Sequence, residues 1–323
     1  MVALGLRKRF GELEAVRGVS FKVRYGEVYG FLGPNGAGKS TTVGMLITLI
    51  KPTGGEAFVA GYSVVREPVE VRRRIGVVFQ DPTVDRDLTA IHNMLLHARI
   101  HGVPSRIAEE RAWELLEMVG LEEHAYRPLR DYSGGMIRRF EIARSLLTNP
   151  RVVFMDEPTI GLDPHARTGV WDVIRELKRR GVTVFLTTHY MDEADKLCDR
   201  LAIIDHGRII AEGTPSQLKS KVAGDTLYVR VEDGGVARLK RLLARYGEVK
   251  DAGNGLLVLV ANDAPRLLPE IISEAQREGV RILETRYTRP SLDDVFLLLT
   301  GRRLRDEGGD WRFWGRRVAR RLL

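Results

Sequence analysis

The sequence has 323 residues, 44% of them hydrophobic, which allows one large and one smaller domain with real cores and argues against disorder. Most of the net charge of +8 lies in the last 22 residues, which carry +5. Because the other 301 residues carry only +3, we expect no nucleic acid partner. The single cysteine, Cys198, excludes an internal disulfide and a cysteine-based zinc site, and it is typical of a reducing compartment. We expect Cys198 to lie in the core. We expect no signal peptide and no spanning helix, because no apolar run approaches about 20 residues.

The first two thirds of the chain predict an α/β fold. Segments typical of strands precede and follow a glycine-rich turn, and a helix follows that turn directly. A mostly helical stretch interrupts the strands at about residues 85–150 and predicts a helical subdomain. The predicted strands are residues 19–23, 27–31, 56–60, 75–79, 152–155, 183–187, 201–205 and 208–211, and the predicted helices outside the insert are 41–50 and 164–180.

The last third predicts a small separate domain. We expect the first domain to cover residues 1–222. Over residues 225–301 the predicted elements follow the order βαββαβ, with a hairpin turn at Asn254-Gly255, which is the order of a ferredoxin-like α+β domain. Residues 302–323 predict a basic amphipathic tail that fits a membrane surface; a solvated tail, or a helix packed on its own domain, is the alternative.

The glycine-rich turn carries the first functional motif. Residues 33–40, GPNGAGKS, fit the pattern G-x-x-x-x-G-K-[ST] between a strand and a helix. Glycines let backbone N–H groups close around phosphate oxygens, and the helix N-terminus favours negative charge. We expect Lys39 to reach the β and γ phosphates of ATP and Ser40 to ligate Mg²⁺. The expected nucleotide contacts in this motif are Gly33, Asn35, Gly36, Gly38, Lys39, Ser40 and Thr41, the last at the α phosphate.

Two acids, Asp156 and Glu157, end the apolar strand of residues 152–155. The carboxyl ends of parallel strands are where α/β sheets place ligands. We therefore expect Asp156 to hold Mg²⁺ through water and Glu157 to act as the general base on the attacking water. Read alone, the pair could equally be loop acids or a helix cap; the phosphate-binding motif upstream favours the catalytic interpretation.

Further motifs resemble those of ABC ATPases over about residues 1–220. Residues 132–136, YSGGM, resemble the LSGGQ signature at the start of a helix. Gln80 after a strand resembles the Q-loop, residues 161–163 resemble the D-loop, and His189 resembles the switch histidine. Phe10 stands where the family has an aromatic that stacks on adenine. The signature departs from the family at Tyr132 and Met136, and Phe10 replaces the usual tyrosine.

The resemblance implies a role for each of these residues. Gln80 would offer its amide oxygen to Mg²⁺, and His189 would hydrogen-bond the γ phosphate. Ser133, Gly134 and Gly135 would contact the ATP of a second subunit, so two chains would meet head to tail as a homodimer. The alternatives are local: Ser133 as an ordinary N-cap, Asp163 of the D-loop as the cap of the next helix, Gln80 as a surface amide, His189 as a structural histidine, and Phe10 as an edge contact.

A closer resemblance is to the ATPases of daunorubicin-resistance-type exporters, carried by residues 79–89, 131–147 and 290–301. It implies an ATP-hydrolysing subunit at the cytoplasmic face of the cell membrane. This subunit would power export of a drug-like, lipid or other hydrophobic substrate through a separate ABC-2-type permease. The alternative is a soluble ABC ATPase of DNA repair or translation. We do not favour it, because the chain has no coiled-coil insertion, no zinc-binding cysteines and only one ATPase unit.

Overall fold

The structure is a computed structural model that describes residues 1–222, 224–232, 234–288 and 290–300. The chain divides into two units, Met1–Pro215 and a second that begins at Ser216. The predicted tail, residues 302–323, lies outside the described residues, and the domain limits predicted from the sequence stay predictions. Within the described ranges, no helix is both long enough and apolar enough to cross a membrane.

The first unit contains two sheets. A four-stranded antiparallel sheet has the order β2-β1-β4-β5, and a six-stranded sheet has the order β10-β9-β3-β8-β7-β6, parallel except for β10. The strands are β1 Val2–Phe10, β2 Leu13–Lys22, β3 Val28–Leu32, β4 Gly54–Val59, β5 Tyr62–Ser63, β6 Ile75–Val78, β7 Val152–Asp156, β8 Thr183–Thr188, β9 Arg200–Asp205 and β10 Arg208–Gly213.

Helices cover the larger sheet and form the predicted insert. Three of them, α3 to α5, occupy the stretch between β6 and β7, with two short 3-10 turns at Glu122–His124 and Leu129–Asp131. The helices of the first unit are α1 Lys39–Leu46, α2 Pro68–Arg72, α3 Ala90–Ile100, α4 Ser105–Met118, α5 Gly134–Leu146, α6 Pro164–Arg179 and α7 Met191–Leu197, and α8 Pro215–Lys219 begins at its last residue.

The central strands β3, β7 and β8 are buried along their whole length; β3 and β7 are apolar up to the terminal Asp156, whereas three of the six buried residues of β8 are threonines. Aromatic rings from β2, β3 and β7 pack around Phe185 of β8, with centroids 5.6–5.8 Å from its ring. Cys198 is buried, as predicted. In the parallel register Leu32 pairs with Thr188 and Asp156 with Thr187, so the three strands end at one edge of the sheet. The functional motifs follow directly from these three strand ends.

The second unit has the predicted βαββαβ order and adds a final helix. Its sheet has the antiparallel order β12-β13-β11-β14, with a core formed by the buried sheet face and by α9 and α10. Asn254 and Gly255 both have positive φ, of 51° and 72°, as the predicted turn requires. The elements are β11 Asp225–Val231, α9 Val236–Leu243, β12 Glu248–Asp251, β13 Leu256–Ala261, α10 Ala264–Arg277, β14 Ile282–Thr288 and α11 Leu292–Thr300.

Candidate functional site

The loop between β3 and α1 packs closely against β2. Gly38 has φ 103°, and a Cβ at this position would lie 2.6 Å from the carbonyl oxygen of Ala15, so a side chain cannot be accommodated. Gly36 has φ 78° with open space beside it, which leaves the backbone accessible from outside. Asn35, Ser40 and, in part, Thr41 are exposed at the mouth of the loop. These are the features that phosphate binding by backbone N–H groups requires.

Lys39, the first residue of α1, is buried and folds back over the loop. Its Nζ donates hydrogen bonds to the carbonyl oxygens of Gly33 at 2.8 Å and Pro34 at 3.2 Å. The same ammonium group lies 2.9 Å from Glu157 Oε1, with the two side chains only 4% and 6% exposed. The structure therefore brings together two of the residues predicted to be catalytic.

Glu157 has a left-handed backbone conformation, with φ 47°, which is uncommon for a residue with a side chain. Its N–H donates to the carbonyl oxygen and the hydroxyl of Thr187, at 3.2 and 3.0 Å. Its carboxylate lies between Lys39 and His189 Nδ1, which is 2.9 Å from Oε2. Burial alone would raise the pKa of Glu157, but the hydrogen bonds from His189 and Lys39 and the charge of Lys39 lower it to about 2. Glu157 is therefore ionised at neutral pH.

Asp156 ends β7 beside Thr187, whose hydroxyl donates a hydrogen bond to Asp156 Oδ1. The predicted magnesium ligands Ser40, Gln80 and Asp156 all offer oxygen atoms, which suits this hard cation. Among the described residues there is no group of three or more His, Cys, Asp or Glu side chains that could hold a metal ion. A donor set this sparse fits Mg²⁺, which keeps waters and substrate phosphates among its ligands, better than it fits a metal held wholly by protein.

His189 begins the segment between β8 and α7, and a stack of side chains supports it. The centroid of its ring lies 4.1 Å from that of Tyr190, and the guanidinium carbon of Arg167 lies 4.3 Å from the centroid of the Tyr190 ring. Arg167 is on α6, and Asp163 caps the N-terminus of that helix by accepting from the amides of His165 and Ala166 at 3.0 and 2.9 Å. The capping alternative for Asp163 is thus observed; its D-loop role stays a prediction.

The signature segment begins α5. Ser133 Oγ accepts a hydrogen bond from the Met136 amide at 3.2 Å, so Ser133 does act as an N-cap. A Cβ at Gly135 would lie 2.7 Å from the Cβ of Ala166, so the glycine permits close packing of α5 on α6. In the ranges that the structure describes, no hydrogen bond or ion pair joins residues 133–135 to Lys39, Asp156, Glu157 or His189.

Gln80 is exposed just beyond β6, and side chains of α5 hold its backbone in place. Arg138, which is buried, donates from its two terminal nitrogens to the carbonyl oxygens of Phe79 and Gln80, both at 2.6 Å. Glu141 accepts from the Thr83 amide at 2.8 Å and pairs with Arg138 at 3.2 Å. Sequence reasoning missed this clamp, although charged residues three apart on a buried helix face were a signal of it.

Two other features complete the site region. Phe10, at the end of β1, is 48% exposed, and Lys8 Nζ lies over its ring, 4.9 Å from the ring centroid; its role in stacking on adenine stays a prediction. Glu193 of α7 is fully buried and accepts from Thr159 Oγ1 at 2.8 Å and Trp171 Nε1 at 2.9 Å. This second link was also missed, and it ties the loop after Glu157 to the helix that follows His189.

Comparisons with known families agree with this geometry. The ABC transporter family model matches residues 16–160, and the model of the C-terminal domain of DrrA1-3-like ATP-binding proteins matches residues 213–300. The daunorubicin/doxorubicin resistance ATP-binding protein DrrA of Streptomyces peucetius is 46% identical over 92% of this chain and 91% of its own length. The Nod factor export ATP-binding protein I of Ralstonia nicotianae is 42% identical, covering 94% of both chains.

Solved structures show the same fold in the first unit. The dimeric post-hydrolysis state of the ATP-binding cassette MJ0796 with ADP and Pi has a TM-score of 0.60 at 30% identity, covering 66% of this chain and 98% of that one. The ADP conformation of MJ1267, an ATP-binding cassette of an ABC transporter, has a TM-score of 0.62 at 30% identity, covering 67% and 91%. The predicted α/β fold and ATPase function are confirmed, and the nucleic-acid or translation alternative is not favoured. The chain belongs to the family of ATP-binding, ATP-hydrolysing subunits of ABC transporters.

Proposed function

We propose that this chain hydrolyses ATP at the edge of the six-stranded sheet and thereby powers export of a hydrophobic or drug-like compound through a separate permease. The observation that carries the proposal is that Lys39, Glu157 and His189, which are far apart in the sequence, meet at one edge of the sheet. Lys39 Nζ and His189 Nδ1 each lie 2.9 Å from a carboxylate oxygen of Glu157. The relatives named for daunorubicin and doxorubicin resistance support the choice of substrate class.

Each side chain has a defined task in the proposed reaction. Lys39 and the backbone N–H groups of residues 33–38 bind the β and γ phosphates, and Thr41 binds the α phosphate. Phe10 stacks on adenine. Glu157 accepts a hydrogen bond from the attacking water and orients it, and His189 holds Glu157 and hydrogen-bonds the γ phosphate.

Ser40, Gln80 and Asp156 are the residues that would hold Mg²⁺. When bound, this ion neutralises charge that develops on the phosphate oxygens. Asp156 is ready for this role because its carboxylate is fixed at the strand end by Thr187. The exposed Ser40 hydroxyl stands at the first turn of α1, next to the predicted phosphate site.

We infer that two copies of the chain meet head to tail, each supplying Ser133, Gly134 and Gly135 to the ATP of the other. The N-terminus of α5 presents free backbone N–H groups and a favourable helix dipole, which suit a phosphate. Among the described residues no hydrogen bond or ion pair joins this end to the Lys39 site, and the solved cassette MJ0796 is dimeric. Asp163 lies on the segment that follows Glu157 and joins this interface in the proposal.

The permease contact is assigned to the helical subdomain, at the cytoplasmic face of the membrane. On α3, Leu96 and Ile100 are 45% and 71% exposed and lie one turn apart, and Ile107 at the start of α4 is 42% exposed. Exposed apolar side chains in such a group are typical of a protein interface. We propose that they pack against an ABC-2-type permease.

The test is transport by inside-out vesicles that contain this chain together with an ABC-2-type permease. We expect ATP-dependent uptake of daunorubicin, followed by its fluorescence, and loss of uptake in Glu157→Gln. The double variant Leu96→Glu/Ile100→Glu is expected to keep ATP binding and lose uptake. Val69→Glu, at another exposed apolar position on a helix, is the matched control and should transport normally. Uptake that persists with Glu157→Gln would overturn the proposal.

A further inference from the structure

A single buried hydroxyl connects the two acids of the site. Thr187 lies on β8 directly opposite Asp156 in the parallel register, and its side chain is fully buried. Its Oγ1 donates a hydrogen bond to Asp156 Oδ1 and accepts one from the Glu157 N–H at 3.0 Å. A threonine hydroxyl has one proton to donate, so this proton is committed to the Asp156 carboxylate.

The same contact supports the unusual backbone of Glu157. A left-handed φ is unfavourable for a residue with a side chain, and it persists only where the surroundings impose it. The Glu157 N–H is held by both the hydroxyl and the carbonyl oxygen of Thr187. This turn directs the Glu157 carboxylate toward Lys39 and His189, both 2.9 Å away.

We propose that Thr187 is a positioning residue for ATP hydrolysis, in which its hydroxyl fixes the rotation of the Asp156 carboxylate and the turn at Glu157. The inference rests on the proposed roles of these two acids. Without the hydroxyl, Asp156 Oδ1 loses its buried donor and the Glu157 amide keeps only the longer bond to the carbonyl oxygen. Both acids then sample orientations that do not match the reacting groups, which lowers kcat.

Thr183 provides a matched control on the same strand. It is also buried on β8, and its Oγ1 accepts the Gly26 N–H at 3.0 Å, but it pairs with Val152 at the other end of the strand, far from both acids. Thr183→Val therefore removes a comparable buried hydrogen bond without touching the site. If Thr187 were only structural, the two valine variants would behave alike.

The experiment compares steady-state ATP hydrolysis by the full chain and its Thr187→Val, Thr187→Ser and Thr183→Val variants. We expect kcat to fall about tenfold or more in Thr187→Val, with KM for ATP changed less than about twofold, because positioning acts on the reacting geometry. Thr187→Ser should recover most of the activity, and Thr183→Val should resemble the wild type. Thr187→Ala, which also lacks the hydroxyl but is smaller, replaces Thr187→Val if the latter does not fold.

A second readout uses no nucleotide and no metal. Hydrogen exchange of the Glu157 amide should be faster in Thr187→Val and unchanged in Thr187→Ser and Thr183→Val, because only the first variant removes an acceptor of that N–H. Wild-type kcat in Thr187→Val, or an equal loss in Thr183→Val, overturns the inference. If Glu157→Gln abolishes turnover while Thr187→Val is normal, only this inference fails; if Glu157→Gln turns over normally, the proposed site itself fails.

Discussion

The ammonium group of Lys39 lies 2.9 Å from the carboxylate of Glu157, with both side chains almost completely buried. In this arrangement one residue predicted to bind phosphate neutralises the residue predicted to orient water. In the proposed reaction Lys39 exchanges this partner for phosphate oxygens when ATP binds, which leaves the Glu157 carboxylate beside His189 and available to a water. In this proposal the pair links nucleotide binding to the release of the general base, Glu157.

The first prediction concerns this ion pair in the nucleotide-free protein. Lys39→Ala should lower the free energy of unfolding of the first unit by about 3 kcal/mol, because it leaves a buried carboxylate with one partner fewer. The double variant Lys39→Ala/Glu157→Gln should be less destabilised than the sum of the two single variants, with a coupling of about 1–3 kcal/mol. Urea unfolding of the four proteins measures this coupling, and strictly additive effects would contradict it.

The second prediction concerns the pH dependence of that stability. The pKa of Glu157 is about 2 in the folded protein, whereas the pKa of a glutamate in an unfolded chain is about 4.3. A depressed pKa stabilises the fold above pH 4.3, and this contribution is lost as pH falls from about 4.3 to about 2. The stability difference between the wild type and Glu157→Gln should therefore be constant from pH 7 to about 5 and shrink below about 4.3. A difference that grows on acidification would show that the pKa of Glu157 is raised.

The third prediction concerns the clamp between α5 and the segment that contains Gln80. Arg138→Met should lower the free energy of unfolding by about 2–4 kcal/mol, because it leaves two backbone carbonyls without their side-chain donor and the buried Glu141 without its ion-pair partner. Hydrogen exchange over residues 79–83 should become faster. Arg106→Met, at an arginine side chain that is 91% exposed, is the control and should change stability by less than about 0.5 kcal/mol. Unchanged exchange in Arg138→Met would mean that the clamp does not hold this segment.

Sequence patterns predicted the parts of the site that are local in the chain. The loop at residues 33–40, the acids after β7 and the histidine after β8 each follow an apolar strand, and parallel strands bring such ends to one edge. The order of the C-terminal unit was equally readable, because its elements alternate regularly and the turn at Asn254-Gly255 has a known residue preference.

Contacts between distant residues could not be read in this way. Nothing local to Thr187 indicates that its hydroxyl meets Asp156, because the contact depends on the register of β7 against β8. The positive φ of Glu157 is likewise imposed by its neighbours and runs against the preference of the residue. Ser133 and Asp163 illustrate a different limit: each makes the local cap that the sequence allowed, while the contacts with a second subunit stay predictions.

The central claim, that each ATP site combines residues of two chains, is tested most directly by mixing two inactive variants. Lys39→Ala removes the phosphate-binding lysine, and Ser133→Arg blocks the signature, so each variant alone should hydrolyse almost no ATP. In a 1:1 mixture, half of the dimers hold both variants, and each of these has one site with Lys39 and Ser133 both intact. The mixture should therefore recover about a quarter of the wild-type ATPase rate per chain. No recovery on mixing, or full activity of either variant alone, would contradict the composite site.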